Sequence, residues 1–142
     1  MDEPKPSLVG EAEAVKEFYA ALNRNDVRAA VTILDSQIER IEPPGFPGEG
    51  TYHGLAAVTA HFESARACWA EGSCEPREFT VADDKIIALV DVRVKLKHEE
   101  DWREGRVADV FTFRNGKAIQ FRTFIDEQLA FEWARGTTTD GN

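Results

Sequence analysis

The stretch RVADVFTFRNGKAIQFRTFID, residues 106–126, alternates aromatic and β-branched residues, and in its midst stands Asp109. A carboxyl group in such a strand is costly to bury unless a partner neutralises it or its surroundings keep it protonated. Two placements are open. Facing a cavity, Asp109 would be an acid held in a dry site; facing outward, it would pair with Arg93 or Arg106, or hydrogen-bond a neighbouring helix. Asp91 and Arg93 form an i, i+2 carboxylate–guanidinium pair, but alternation puts them on the polar face of their strand. His53, in TYHG, reads as a loop residue at a turn, where at a pocket mouth it could also shuttle protons; His61 reads as a helix-rim residue. Cys68 and Cys74 are too few for zinc, which takes about four ligands, and read as reduced thiols, with a local disulfide as the lesser option. No Ser-His-Asp or Cys-His arrangement and no Gly-rich phosphate loop stands out, so neither metal nor organic cofactor is expected.

The elements that must position Asp109 come in two groups. GEAEAVKEFYAALNRND repeats Ala14, Val15, Phe18, Ala21 and Leu22 at helical spacing, with glutamates in the first turn where they suit the helix dipole. DVRAAVTILD predicts a second, short helix opened by Asp26. SQIERIE predicts a strand running into the Pro/Gly loop before TYHG, and LAAVTAHFESARACWA a third helix with Val58, Phe62, Ala65 and Trp69 on one stripe. The period then changes. In KIIALVDVRVKLK, Ile86, Ala88, Val90, Val92, Val94 and Leu96 face one way, and Ile87, Leu89, Asp91, Arg93, Lys95 and Lys97 the other. EFTVA is its expected partner across an Asp83-Asp84 turn, Asn115-Gly116 marks a tight hairpin, and EQLAFEWA predicts a closing helix capped by Asp126. Helices followed by antiparallel strands argue α+β: a curved sheet with helices on one face and a concave pocket between them.

With 142 residues, 42% of them hydrophobic and 30% charged, the chain suits a single domain, with an ordered core over about 8–135 and frayed ends. A net charge of −9, from 26 acids against 17 bases, repels phosphate backbones and anionic lipid, so nucleic acid and membrane are not expected partners. No apolar run approaches the ~20 residues of a membrane span, and MDEPKPS is unlike a secretory leader; the cytoplasm is the expected compartment.

The order of elements resembles the nuclear transport factor 2-like superfamily, the cone-shaped, cystatin-like α+β fold shared by ketosteroid isomerases and SnoaL-type polyketide cyclases. VKEFYAALNRNDVRAAVTILD resembles its opening helix pair, EPPGFPGEGTYHGLAAVTAHF its proline loop and third helix, and VADVFTFRNGKAIQFRTFIDEQLA its closing hairpin. The resemblance covers nearly all of residues 8–131 and implies a homodimer packed through the open sheet face, with a pocket for a small apolar molecule between sheet and helices. It implies an isomerase, cyclase or dehydratase acting on a carbonyl compound, or else a non-catalytic binding or accessory domain with the same pocket.

Alternation puts Val107, Asp109, Phe111 and Phe113 on one face, with Ile119, Phe121, Thr123 and Ile125 as the matching set on the returning strand. Asp109 would then look into a cavity lined by Phe111, Phe121, Thr123 and Ile125 and roofed by Phe18 or Tyr19, Phe62 and Trp69. By resemblance, Asp109 falls where ketosteroid isomerases keep a protonated aspartic acid that donates to an enolate oxygen. Their tyrosine donor aligns with Phe18, with Tyr19 adjacent but about 100° around the helix. Their general-base aspartate aligns near Arg40; Glu42, two residues on, is the candidate base unless both residues are only a solvated strand end. The acid/base aspartate of the cyclases aligns with Thr123, and Asp126 reads as a helix cap.

Overall fold

A leading helix, α1 (Val9–Asn23), presents Val15, Phe18, Tyr19, Ala21 and Leu22 to the interior, one continuous buried arc at positions three and four apart. In the computed structural model, which describes residues 8–136, it is followed by α2 (Val27–Ala30), β1 (Leu34–Glu42), β2 (Gly50–His53), α3 (Leu55–Ala67), β3 (Trp69–Ala82), β4 (Lys85–Leu96), β5 (Arg103–Arg114), β6 (Lys117–Phe124) and α4 (Glu127–Arg135). The frayed ends expected at residues 1–7 and beyond Gly136 lie outside the described residues. Asp26 and Asp126 cap α2 and α4 as expected, accepting from the backbone N–H of Ala29 at 3.1 Å and of Gln128 at 2.8 Å.

The strands form one sheet in the order β2-β1-β6-β5-β4-β3. All neighbours are antiparallel except β1 and β6, which run parallel and set Arg40 opposite Phe121. The β5–β6 turn is the tight hairpin its sequence asks for: Arg114 pairs with Lys117, and Asn115 and Gly116 both have positive φ, 54° and 81°. α1 to α3 fill the concave face around Phe18, 1% exposed, whose ring meets Phe62, Phe111 and Phe121 edge-on at 5.7, 5.6 and 5.4 Å. Deleting such a ring costs about 3–5 kcal/mol, a large share of the roughly 5–15 kcal/mol that holds a domain together.

Four local expectations are corrected. The second helix does not run to Asp35 but gives way after Ala30 to a 3-10 turn, Val31–Ile33, where β-branched side chains crowd a helix. The third helix stops at Ala67, and Trp69 opens a strand of 14 residues where only EFTVA was expected. That strand is the sheet's edge. Its exposed residues give no alternation to read, Pro76 sits at one of its two bulges, and Gly72 (φ 126°) lies so close to the chain that a Cβ would fall 2.2 Å from the Arg93 carbonyl oxygen. Helices occupy both faces of the sheet, not one: Ile87, Leu89, Ala108 and Val110 on the outer face pack under Ala130 and Ala134 of α4. Finally, the β5–β6 ladder slips between Thr112 and Phe113, which pair with Gln120 and Ala118. The extra residue, Ile119, is thereby turned out of the set formed by Phe121 and Thr123, and it lines a shallow outer groove with Gln120.

Candidate functional site

Between the concave face and α1–α3 lies a cavity of about 700 Å³. Its walls are mainly apolar, with Phe18, Leu22, Phe62, Val90, Val92 and Phe121 among them, and its polar groups converge from both helices and strands. Asp109 enters from β5, flanked in the sheet by Ala88 and Thr123, and is 5% exposed. Its carboxyl therefore faces the helices with its phenylalanine neighbours and does not pair with Arg93 or Arg106. Those arginines lie on the outer face, Arg93 against Glu104 and Arg106 against Asp91, which also meets Arg77.

Tyr19 reaches the same carboxyl. The 100° step from Phe18 was expected to carry it away, yet α1 is buried over an arc wide enough for both side chains, and Tyr19 is 2% exposed. Its hydroxyl donates to Asp109 Oδ2. The other carboxylate oxygen, Oδ1, accepts from Thr123 Oγ1 at 2.6 Å. Thr123 in turn accepts from Arg40 Nη1 at 2.8 Å. The Arg40 guanidinium also donates to the Ile41 carbonyl at 2.9 Å and lies over the Phe121 ring, 4.1 Å from its centroid. Arg40 Nη2 continues to Glu42 Oε1 at 3.3 Å, so neither Arg40 nor Glu42 is a solvated strand end; their side chains are 7% and 11% exposed.

Glu42 has two further partners. His61 Nε2 lies 2.9 Å from its Oε1, and the backbone N–H of Gly48 donates to its Oε2 at 3.1 Å. Tyr52 stacks on His61, centroids 4.0 Å apart, and its hydroxyl donates to the Gly48 carbonyl at 2.9 Å. Gly48 has no room for a side chain, since a Cβ would come within 2.5 Å of His61 Cε1. His61, expected at a helix rim, is instead buried against Glu42. The signal was present: with Val58, Phe62 and Ala65, His61 completes an i, i+3, i+4, i+7 stripe on α3.

These surroundings set the protonation of each group. Burial raises the Asp109 pKa, against the opposing pull of Arg40 and the two hydroxyl donors. Burial, then the charge of Asp109, holds the Tyr19 hydroxyl well above its ordinary value. Burial would also lift Glu42, but the His61 hydrogen bond, the Arg40 charge and the Gly48 N–H together outweigh it and hold the carboxyl below the usual range. Cys74, at the cavity wall, is pushed up to about 12 by burial and then by the charges of Asp109 and Glu75. The arrangement can therefore offer a hydrogen bond or proton from the Tyr19–Asp109 pair at one end and a carboxylate at the other.

The remaining expected residues fall into place around it. Phe18, Phe62, Phe121 and Thr123 line the cavity, and Trp69 lines it from β3 with Arg66 stacked 4.5 Å from its ring. Phe111 forms the layer beneath the wall, stacked on Phe121 at 4.3 Å, and Ile125 sits at the mouth, 59% exposed. His53 is on the outer face beside Glu39 at 3.7 Å. Cys68 and Cys74 are free thiols. Among the described residues, no group of three or more His, Cys, Asp or Glu is placed to hold a metal, and no helix is long and apolar enough to cross a membrane.

Comparison with known proteins agrees with this architecture. Among curated proteins none matches the chain at a significant level. An NTF2-like protein of unknown function from Burkholderia pseudomallei is similar at 25% identity, with a TM-score of 0.72 over 85% of this chain and 94% of that one. TerC, co-crystallised with polyporic acid, is similar in fold at 20% identity and a TM-score of 0.71, over 88% of this chain and 97% of its own. A protein from Jannaschia described as a SnoaL-like polyketide cyclase shares the fold at 11% identity and a TM-score of 0.73, over 95% of this chain and 98% of its own. The family model described as SnoaL-like domain matches residues 15–121, from the buried arc of α1 to the Phe121 that stacks against Arg40, and on that match the chain belongs to the SnoaL-like domain family.

Proposed function

We propose that the cavity takes a small, largely apolar molecule by its carbonyl oxygen and acts on it by proton transfer, as an isomerase, cyclase or dehydratase would. The observation that carries this is the buried Tyr19–Asp109 hydrogen bond set in an apolar wall, where a neutral acid is favoured and a donor is worth more than in water. In this reading the Tyr19–Asp109 pair supplies the hydrogen bond to the substrate oxygen, and Glu42, oriented by His61 and Arg40, accepts the proton removed from carbon. That TerC was co-crystallised with polyporic acid supports a small-molecule role for a cavity in this fold. One observation favours a second reading, a non-catalytic ligand-binding or accessory domain. Glu42 is engaged by three donors and held below its ordinary pKa, which weakens it as a base.

The two readings separate in deuterium oxide. Incubating the protein with an aryl alkyl ketone and following the α-protons by NMR should show exchange that Asp109→Ala and Glu42→Gln each abolish while the protein stays folded. Binding without exchange would leave the accessory reading. No binding of any ketone would end the carbonyl reading.

The homodimer and the cytoplasmic location belong to the same proposal. We place the second copy on the part of the outer sheet face that α4 leaves uncovered, and sedimentation equilibrium at micromolar concentration should give twice the chain mass. A monomer there would refute that part alone.

A further inference from the structure

A threonine hydroxyl has one proton and two lone pairs, and an arginine has donors only. At 2.8 Å, Arg40 Nη1 must therefore donate to Thr123 Oγ1, which leaves the Thr123 proton for the 2.6 Å contact with Asp109 Oδ1. In that arrangement Thr123 donates and Oδ1 accepts. While Thr123 donates to Oδ1, a proton carried by Asp109 sits on Oδ2, which faces the Tyr19 hydroxyl. Tyr19 also has a single proton. With Asp109 charged, that proton is spent on Oδ2. With Asp109 neutral, Oδ2–H donates to Tyr19 Oη instead, and the phenol proton is released toward the cavity that Tyr19 lines.

We propose that Thr123, oriented by Arg40, is a positioning residue that keeps the proton of neutral Asp109 on Oδ2, so that Tyr19 becomes the donor presented to ligand and the site selects an acceptor oxygen, a ketone or ester carbonyl, over an alcohol. The proposal rests on the carbonyl reading above and assigns its selectivity. The groups facing Asp109 are Tyr19 from α1, Arg40 and Glu42 from β1, Cys74 from β3 and Thr123 from β6, with Ala88 beside it on β4. Of these, Arg40 is already engaged by Glu42. Burial favours the neutral acid that the switch requires. Without the Thr123 hydroxyl, the carboxyl proton is free to sit on either oxygen, and Tyr19 can go on donating to Oδ2 whether or not Asp109 is protonated.

The test compares the full chain with Thr123→Val and Thr123→Ser. Two readouts are used: the pH dependence of binding of the fluorescent naphthyl ketone propionyl-dimethylaminonaphthalene and of its carbinol, and the titration of the Asp109 carboxyl carbon by NMR in the ligand-free protein, assigned with Asp109→Asn. The unmodified protein should prefer ketone to carbinol by about tenfold, the worth of one hydrogen bond, below the Asp109 midpoint and lose the preference above it. Thr123→Val should lose the preference and move the Asp109 midpoint upward, and Thr123→Ser should restore both. Thr123→Cys, a weaker donor, should fall between them and serves in place of valine if that variant does not fold. A midpoint and preference unchanged in Thr123→Val, or not rescued by serine, overturns the proposal. If the unmodified protein binds neither compound, the carbonyl reading fails, and the ligand-free titration alone decides whether Thr123 places the proton.

Discussion

Tyr19→Phe is the sharpest test of the buried pair, because it removes one oxygen and leaves the ring where it packs, edge-on to Phe18 at 5.1 Å and Phe111 at 6.1 Å. What changes is Asp109, whose Oδ2 loses its donor while buried at 5% exposure. Orphaning a buried polar group costs about 1–3 kcal/mol, or a fall in melting temperature of about 3–12 °C at about 3–4 °C per kcal/mol for a chain of this size. The loss should depend on pH in a definite direction. The folded Asp109 pKa is raised, so the group contributes stability that is full below its unfolded value and declines as pH rises through its folded value. Tyr19 donates to the charged form and limits that decline. Removing the hydroxyl lifts the folded pKa further, so the gap between variant and parent should widen as pH rises past the parent's folded value. Urea denaturation across the acid-to-alkaline range measures it. A gap that is constant with pH, or absent, would refute the placement of Tyr19 on a titrating carboxyl.

Three further outcomes follow from the same geometry. Glu42→Gln should destabilise the protein by about 3–5 kcal/mol at neutral pH, since it strands a buried Arg40, and should flatten the acid limb of the stability curve. The Glu42 pKa is lowered by folding, so its contribution is present above the unfolded value and lost as pH falls through the folded one; urea melts at acid and neutral pH check both. Gly48→Ala should cost about 1–3 kcal/mol by overpacking, because its Cβ would strike His61 Cε1 at 2.5 Å; thermal melts of the variant and of Gly48→Ala with His61→Ala should show the second change relieving the first. A thiol reagent at neutral pH should modify one cysteine promptly, the exposed Cys68, and spare Cys74, whose pKa of about 12 keeps it protonated; mass mapping tells them apart.

Where local patterns decide structure, the sequence was readable. Asp109 could be placed inward because Phe111 and Phe113 share its alternation, and the Asn115-Gly116 hairpin because few other turns tolerate two positive φ angles in succession. Ile119 was misplaced because a bulge costs one residue of register and leaves no mark on composition. The length of β3 was hidden because an edge strand answers to its neighbour's ladder more than to its own hydrophobic pattern. The site was readable residue by residue but not as a network. Arg40 and Glu42 sit near a strand end and look like surface charges until the parallel β1–β6 pairing sets them beside Phe121 and Thr123.

That parallel pairing has a consequence for how the molecule comes into being. Two parallel strands cannot be joined by a tight turn, and the bond from Arg40 to Thr123 spans 83 positions of chain. Tyr19 meets Asp109 across 90. Without the last hairpin, Arg40 lacks the Thr123 hydroxyl and Tyr19 lacks the Asp109 carboxyl, so the network depends on strands from both ends of the chain. The hydrogen-bonded network of the site is therefore complete only when the last hairpin is in place.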